Sequence, residues 1–285
     1  MTEIATTAAP TLAGPKILLI GPSGSGKTHS LGTLTEWAAL HKKEVFALFT
    51  ENGIETLLGY WKDKGAEPPK NLHWHVALTK PIGLASLMTA ADNVGKLSYE
   101  SITKMVDGKR SENNAFFKIL SACSNFPDDR TGDKFGPIDT FGADKIFILD
   151  SLSELSNAAM KMVIGNKPTA SMPDYGVAQN NLLNFLRLLT QGLSCTVVMT
   201  GHIGREKDEI TGGTKISVQS IGSALSPQIP PLFSEVILTV READKFTWST
   251  ATFGADLKTR SLGYKDKIEP NFAQVMDVWL KRGGV

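Results

Sequence analysis

Eight residues, GPSGSGKT at 21–28, place three glycines, a lysine and a threonine at a spacing suited to phosphate chemistry. Glycines let backbone N–H groups turn inward around phosphate oxygens, and a helix beginning there adds partial positive charge. In the pattern GxxxxGK[ST] the lysine reaches the β- and γ-phosphates and the hydroxyl holds Mg²⁺. Gly21, Pro22, Ser23, Gly24, Ser25, Gly26, Lys27, Thr28 and His29 are thereby the candidate ATP-binding residues. Lys27 is also a candidate catalytic group, and Thr28 a metal ligand.

A metal at such a loop needs a carboxylate from a neighbouring strand. KIFILD (145–150) ends in Asp150, which fits that role. Ser151 follows it, so no second acid stands there to activate water, and the SLSE run gives a Ser-x-x-Glu helix start instead. Glu51, directly after the apolar run EVFALFT (44–50), is the better candidate base, with Glu55 and Glu154 as weaker ones. SCTVVMT (194–200) runs into Gly201 and His202, so Thr200 and His202 close a buried run with groups able to sense a γ-phosphate. His73 and His75 share one strand face, but two ligands without a third make a poor metal site.

The elements that position these groups are short continuous apolar runs: KILLI (16–20), EVFALFT (44–50), NLHWHVAL (71–78), KIFILD (145–150) and SCTVVMT (194–200). Such runs suit strands buried on both faces of a parallel sheet. Between them, Leu31, Leu34 and Ala38, and later Ala178, Leu182, Phe185, Leu186 and Leu189, recur at helical spacing. The fold class is therefore α/β, a mainly parallel, doubly wound sheet. EVILTVRE (235–242) and KFTWSTATF (245–253) alternate and stand two residues apart, which predicts a C-terminal antiparallel hairpin. NFAQVMDVWLKR (271–282) predicts a last helix. The expected organisation is a disordered leader over 1–14 and one domain over 15–285, with an insertion near 98–142 and a mobile loop near 204–222.

Composition narrows the function classes. The chain has 285 residues with 30 Lys+Arg against 29 Asp+Glu, so no global basic field points to a polyanion. Its two cysteines, Cys123 and Cys195, form no CxxC spacing, which argues against a disulfide framework or a zinc site. MTEIATTAAPTLAG lacks the basic and apolar regions of a signal peptide, and no apolar run approaches the ~20 residues of a membrane span. The expectation is a soluble, cytoplasmic protein without membrane contact.

The glycine loop, the Glu after the second run, ILDSLSEL and the polar close of the next strand together resemble the RecA-like ATPase core. The closer likeness is to phage-type RecA-fold nucleotide-binding proteins, which include short single-strand annealing recombinases. DYGVAQNNLLNFLRLL before a strand ending in T-x-H belongs to the same resemblance. It implies an ATPase with ATP and Mg²⁺, single-stranded DNA as partner in phage recombination or replication, and homo-oligomers as rings or filaments. DLKTRSLG (256–263) resembles the K-x-R element that RecA-fold hexameric helicases insert into a neighbour's site, making Lys258 and Arg260 catalytic candidates in trans. The stretch after His202 would then contact DNA. It carries Arg205, Lys207 and Lys215 but also Glu206, Asp208 and Glu209, with no aromatic for stacking. Two alternatives stand beside this one: a nucleotide-dependent assembly or loading module with a protein partner, and a small-molecule or nucleoside kinase with 128–142 as lid.

Overall fold

Strands that are apolar in both phases need cover on both faces, and a three-layer arrangement supplies it. The computed structural model describes residues 12–78, 84–96, 98, 114–165, 169–207 and 213–285. Its strands are β1 (Lys16–Ile20), β2 (Glu44–Phe49), β3 (Leu72–Val76), β4 (Lys145–Asp150), β5 (Thr196–Gly201), β6 (Ile203–Lys207), β7 (Thr214–Val218), β8 (Glu235–Glu242) and β9 (Lys245–Ser249). The helices are α1 (Lys27–Leu40), α2 (Ile54–Asp63), α3 (Leu84–Gly95), α4 (Ala115–Ser124), α5 (Leu152–Ile164), α6 (Met172–Arg187), the short α7 (Gly222–Leu225) and α8 (Ala273–Lys281). No helix among the described residues is long and apolar enough to cross a membrane.

Seven strands form one sheet in the order β3-β2-β4-β5-β1-β8-β9. The first six run parallel, and β9 returns antiparallel to β8, as the alternating hairpin pattern predicts. Alternate residues go to opposite layers. Leu18, Ile20, Phe147 and Leu149 pack under α4, α5 and α6, while Ile17, Leu19, Ile146 and Ile148 pack under α1 and α8. The helix after β1 thus leaves on one face and the helix after β4 on the other. Their loops diverge on either side of β5, opening a crevice at the carboxyl ends of β1, β5 and β4, where ligands gather in open α/β sheets.

Several expected boundaries shift. β9 stops at Ser249 rather than running to 253, because the Ser249 hydroxyl accepts the Thr252 N–H at 3.1 Å and turns the chain. The stretch read as a mobile loop contains a two-stranded antiparallel ribbon, β6–β7, with Ile203 opposite Val218 and Lys207 opposite Thr214. Residues 208–212 between them lie outside the described residues. Of the leader, residues 1–11 also lie outside; Leu12 bridges Gly284, and the Gly14 N–H donates to the Ser194 carbonyl at 2.8 Å. Within the insertion, 99–113 are outside the description, while α4 buries Phe116 and Ile119 in the core.

The segment weighed as a lid is clasped to the sheet edge. The Asp129 N–H donates to the Trp74 carbonyl, and the Asp129 carboxylate accepts the Val76 N–H at 2.9 Å and faces His75 Nδ1. The fully buried Asp128 carboxylate faces His73 Nδ1 at 2.8 Å and accepts the N–H of Arg130 and the hydroxyl of Thr131. His73 Nε2 faces Glu44 on the other side, also at 2.8 Å. Both ring nitrogens thus meet carboxylates.

Burial opposes ionisation of Asp128, but bonds from His73, Arg130 and Trp74 outweigh it and hold the carboxyl below its ordinary value. A depressed carboxyl stabilises the fold above the unfolded value of 3.8, and that contribution is lost as pH falls through the folded value. Asp128→Ala should lower stability by about 3 kcal/mol at pH 7, because it leaves the Trp74 and Arg130 N–H groups, the Thr131 hydroxyl and His73 Nδ1 without their common partner. Urea unfolding of wild type and variant from pH 7 to pH 3 should show the gap closing only below about pH 4. A gap that is absent at pH 7 would refute the clasp.

Candidate active site

Gly24 and Gly26 adopt φ +70° and +86°, left-handed angles that glycine reaches without strain. Gly26 also caps α1, so that helix begins with no side-chain cap and no acid in its first turn. Its first N–H groups are thus left without a side-chain cap, as anion binding requires. Gly21 is fixed by closeness: a Cβ there would stand 2.1 Å from Thr239 Oγ1 on β8. The Ser25 hydroxyl lies 2.7 Å from the Pro22 carbonyl and 2.6 Å from the Thr239 hydroxyl, tying the loop to the neighbouring strand.

The Lys27 ammonium folds over the loop and donates to the carbonyls of Gly21 (2.9 Å) and Pro22 (2.8 Å). Burial pulls its pKa below the ordinary lysine value, while the charges of Asp150 and Glu51 act the other way. The Thr28 hydroxyl donates to Asp150 Oδ2 at 2.7 Å, and the Thr200 hydroxyl donates to Oδ1 of the same carboxylate. Burial pushes Asp150 above the ordinary aspartate value; the Thr200 and Thr28 bonds oppose that, and the Glu51 charge adds to it. Two hard oxygen groups thus meet beside a glycine cradle. That donor set fits Mg²⁺, which takes one or two protein oxygens and completes its shell with phosphate and water.

A cleft of about 490 Å³ gathers most of the expected residues: Ser23 to His29 of the loop, Glu51, Asp150 and His202, together with Asn52, Gly53, Thr56 and Phe246. Glu51 arrives there because the Thr50 N–H donates to the Asp150 carbonyl at 2.7 Å, stitching the end of β2 to the end of β4. His202 is held by its backbone: its N–H donates to Ser153 Oγ at 2.9 Å, and its carbonyl accepts the Gln219 N–H at 2.8 Å. Thr200 is spent on Asp150 and fully buried, so of the two groups closing β5 only His202 faces the cleft. Glu154 is occupied otherwise, accepting from the Asn157 amide.

Lys258 and Arg260 stand apart from this cleft. Lys258 pairs through its backbone with Val236, in the first half of β8, and its ammonium reaches the Pro231 carbonyl at 3.3 Å. Arg260 is exposed. Burial and the Arg260 charge both lower the Lys258 pKa. Arg130 is likewise remote, stacked 5.5 Å from the Trp74 ring and donating to Pro68 and Pro69.

Sequence reasoning missed the contribution of the β8–β9 hairpin. Thr239 and Arg241 share one face by alternation, and Phe246 is the cross-strand partner of Arg241. What alternation does not give is the strand order that lays β8 beside β1, and hence those side chains on the glycine loop.

The sequence profile described as an AAA domain matches residues 13–261, and the chain belongs to this AAA-type P-loop ATPase family. The match carries nothing specific to phage recombinases. No curated protein matches the chain.

Two substitutions test the site. Lys27→Ala should abolish tight ATP binding in equilibrium titration; unchanged affinity would refute the loop assignment. Asp150→Asn should remove Mg²⁺-dependent turnover yet raise the melting temperature of the ligand-free protein. A carboxyl whose folded pKa is raised stabilises only below its unfolded value of 3.8 and costs stability once pH rises through the folded value. A neutral amide escapes that cost while keeping one bond to each threonine.

Proposed function

We propose that this protein hydrolyses ATP and couples hydrolysis to a single-stranded DNA segment held by the β6–β7 ribbon. In this reading Lys27 and the loop N–H groups hold the β- and γ-phosphates. Thr28 and Asp150 hold Mg²⁺, which when bound neutralises developing charge on the transferring phosphoryl group. Glu51 orients the attacking water and takes its proton. His202 senses whether the γ-phosphate is present.

The observation that carries the reading is the place of His202. It lines the cleft, and the next residue begins β6. Its carbonyl is bonded to Gln219, just past the end of β7. A shift of His202 on loss of phosphate would therefore move both ends of the ribbon. The RecA-like resemblance supports DNA as the ribbon's partner, a role in phage recombination or replication, and a homo-oligomeric ring or filament. It also supports Lys258 and Arg260 acting in a neighbouring subunit's cleft, consistent with their distance from the cleft of their own chain.

A second reading, a nucleotide-dependent assembly module with a protein partner, draws on the ribbon's surface. Lys215 lies 4.0 Å from Asp256, so part of its positive charge is already offset. Phe253, in the loop whose Gly254 carbonyl bonds β7, is 88% exposed.

Steady-state hydrolysis with and without single-stranded DNA, at two salt concentrations, separates the two. Stimulation that weakens steeply with salt supports the DNA reading; slow turnover unchanged by DNA supports the assembly module. Glu51→Gln should retain ATP binding and lose about 10²–10⁴ in turnover. Arg260→Ala should also bind ATP and lose about 10³-fold. Mixing the two variants should restore part of the activity, because mixed interfaces contain one intact site. No recovery on mixing would exclude Arg260 as a group supplied across an interface.

A further inference from the structure

The phosphate cradle accounts for Gly24 to Thr28 but not for the aromatic groups that continue the same cleft. Phe246 lies on β9 and lines the cleft with His29, the first residue after the cradle. The Phe246 ring is pressed against the loop, since a Cβ on Gly26 would stand 2.9 Å from its Cγ. It is 37% exposed, whereas Trp248, two residues along the same strand face, is 1% exposed in the core. Part of the Phe246 ring is thus left open to a cleft lined largely by polar groups. The His29 ring lies 6.4 Å away at an interplanar angle of 30°, and the edge of Tyr60 holds His29 from the other side at 5.1 Å. The Arg241 guanidinium stands 5.7 Å from the Phe246 ring centre, and its Nη1 is 3.9 Å from where a Gly24 Cβ would be.

We infer that Phe246, with His29 beside it, is the platform that receives the nucleoside part of the bound triphosphate, and that the base is held there by stacking. The inference rests on the nucleotide site proposed above. The order of groups along the cleft carries it. Phosphates bound by Gly24 to Thr28 leave the sugar and base to extend past the start of α1, where His29 and Phe246 stand. A phenyl ring offers no donor or acceptor, so it holds any base by its π-face without reading the base edge. Arg241 adds a cation beside the same ring, placed to follow either the stacked base or the phosphate chain. The platform therefore selects for an aromatic base over none, and only weakly among purines.

The test compares ATP with inorganic tripolyphosphate, which fills the cradle but has no base. Equilibrium dissociation constants are measured for wild type, Phe246→Leu and Phe246→Trp. Leucine keeps bulk against Gly26 and removes the ring; tryptophan keeps a ring. ATP affinity of Phe246→Leu should fall about tenfold or more, with tripolyphosphate affinity unchanged and Phe246→Trp close to wild type. ATP and GTP should bind wild type within about tenfold of each other. Equal loss of ATP and tripolyphosphate in Phe246→Leu would make Phe246 a prop for the loop and overturn the inference. So would undiminished ATP affinity, or a strong ATP preference that survives the substitution. Failure of wild type to bind either ligand would instead bring down the nucleotide site itself.

Discussion

A buried carboxylate between two hydroxyls is the arrangement around which this site is built. Asp150 is 2% exposed and accepts from Thr28 and Thr200, which come from the helix after β1 and from β5. Those hydroxyls can converge only because β5 lies between β1 and β4 in the sheet. Thr50 then ties the end of β2 to the same corner. An ionised group held there costs stability, since burial outweighs the two hydrogen bonds. The surrounding strands tolerate that cost because both faces of the sheet bury large apolar side chains. The site is thus a strained corner supported by an apolar sandwich, the division expected where chemistry rather than stability sets residue identity.

Much of this corner was legible in the sequence because local pattern and function coincide there. A parallel strand buried on both faces announces itself as an apolar run, and the first polar residue after the run sits at the carboxyl edge where ligands bind. Asp150 was placed in that way, and Glu51 and His202 just beyond the polar end of a run, whereas Lys27 came from the spacing of the glycine loop. Thr200 shows the limit of the rule: it also ends a run, yet its hydroxyl turns sideways to Asp150, and only the order of strands decides which way it faces.

The remainder was hidden for physical reasons that differ from place to place. The β6–β7 ribbon has little apolar content because it stands off the main sheet, so IGREK and TKISV look like loop. Phe246 and Trp248 carry the same alternation signal, and one step along β9 separates a core ring from a cleft ring. Asp128 is an acidic residue in a polar stretch, and nothing local distinguishes it from Asp133 or Asp139, which are solvent-exposed. Its burial follows from a histidine 55 positions earlier in the chain, a long-range pairing that no window of sequence contains.

The clasp on β3 has a counterpart at the other end of the sheet. Trp248 on β9 exchanges backbone hydrogen bonds with Ile268, each 2.8 Å long, much as Asp129 bonds to Trp74 on β3. Each outermost strand thus has part of its outward-facing backbone already bonded within the same molecule. An unpaired strand edge is the usual template for joining one sheet to another. With both margins engaged in this way, the seven-stranded sheet has, among the described residues, little backbone open for extension by another strand.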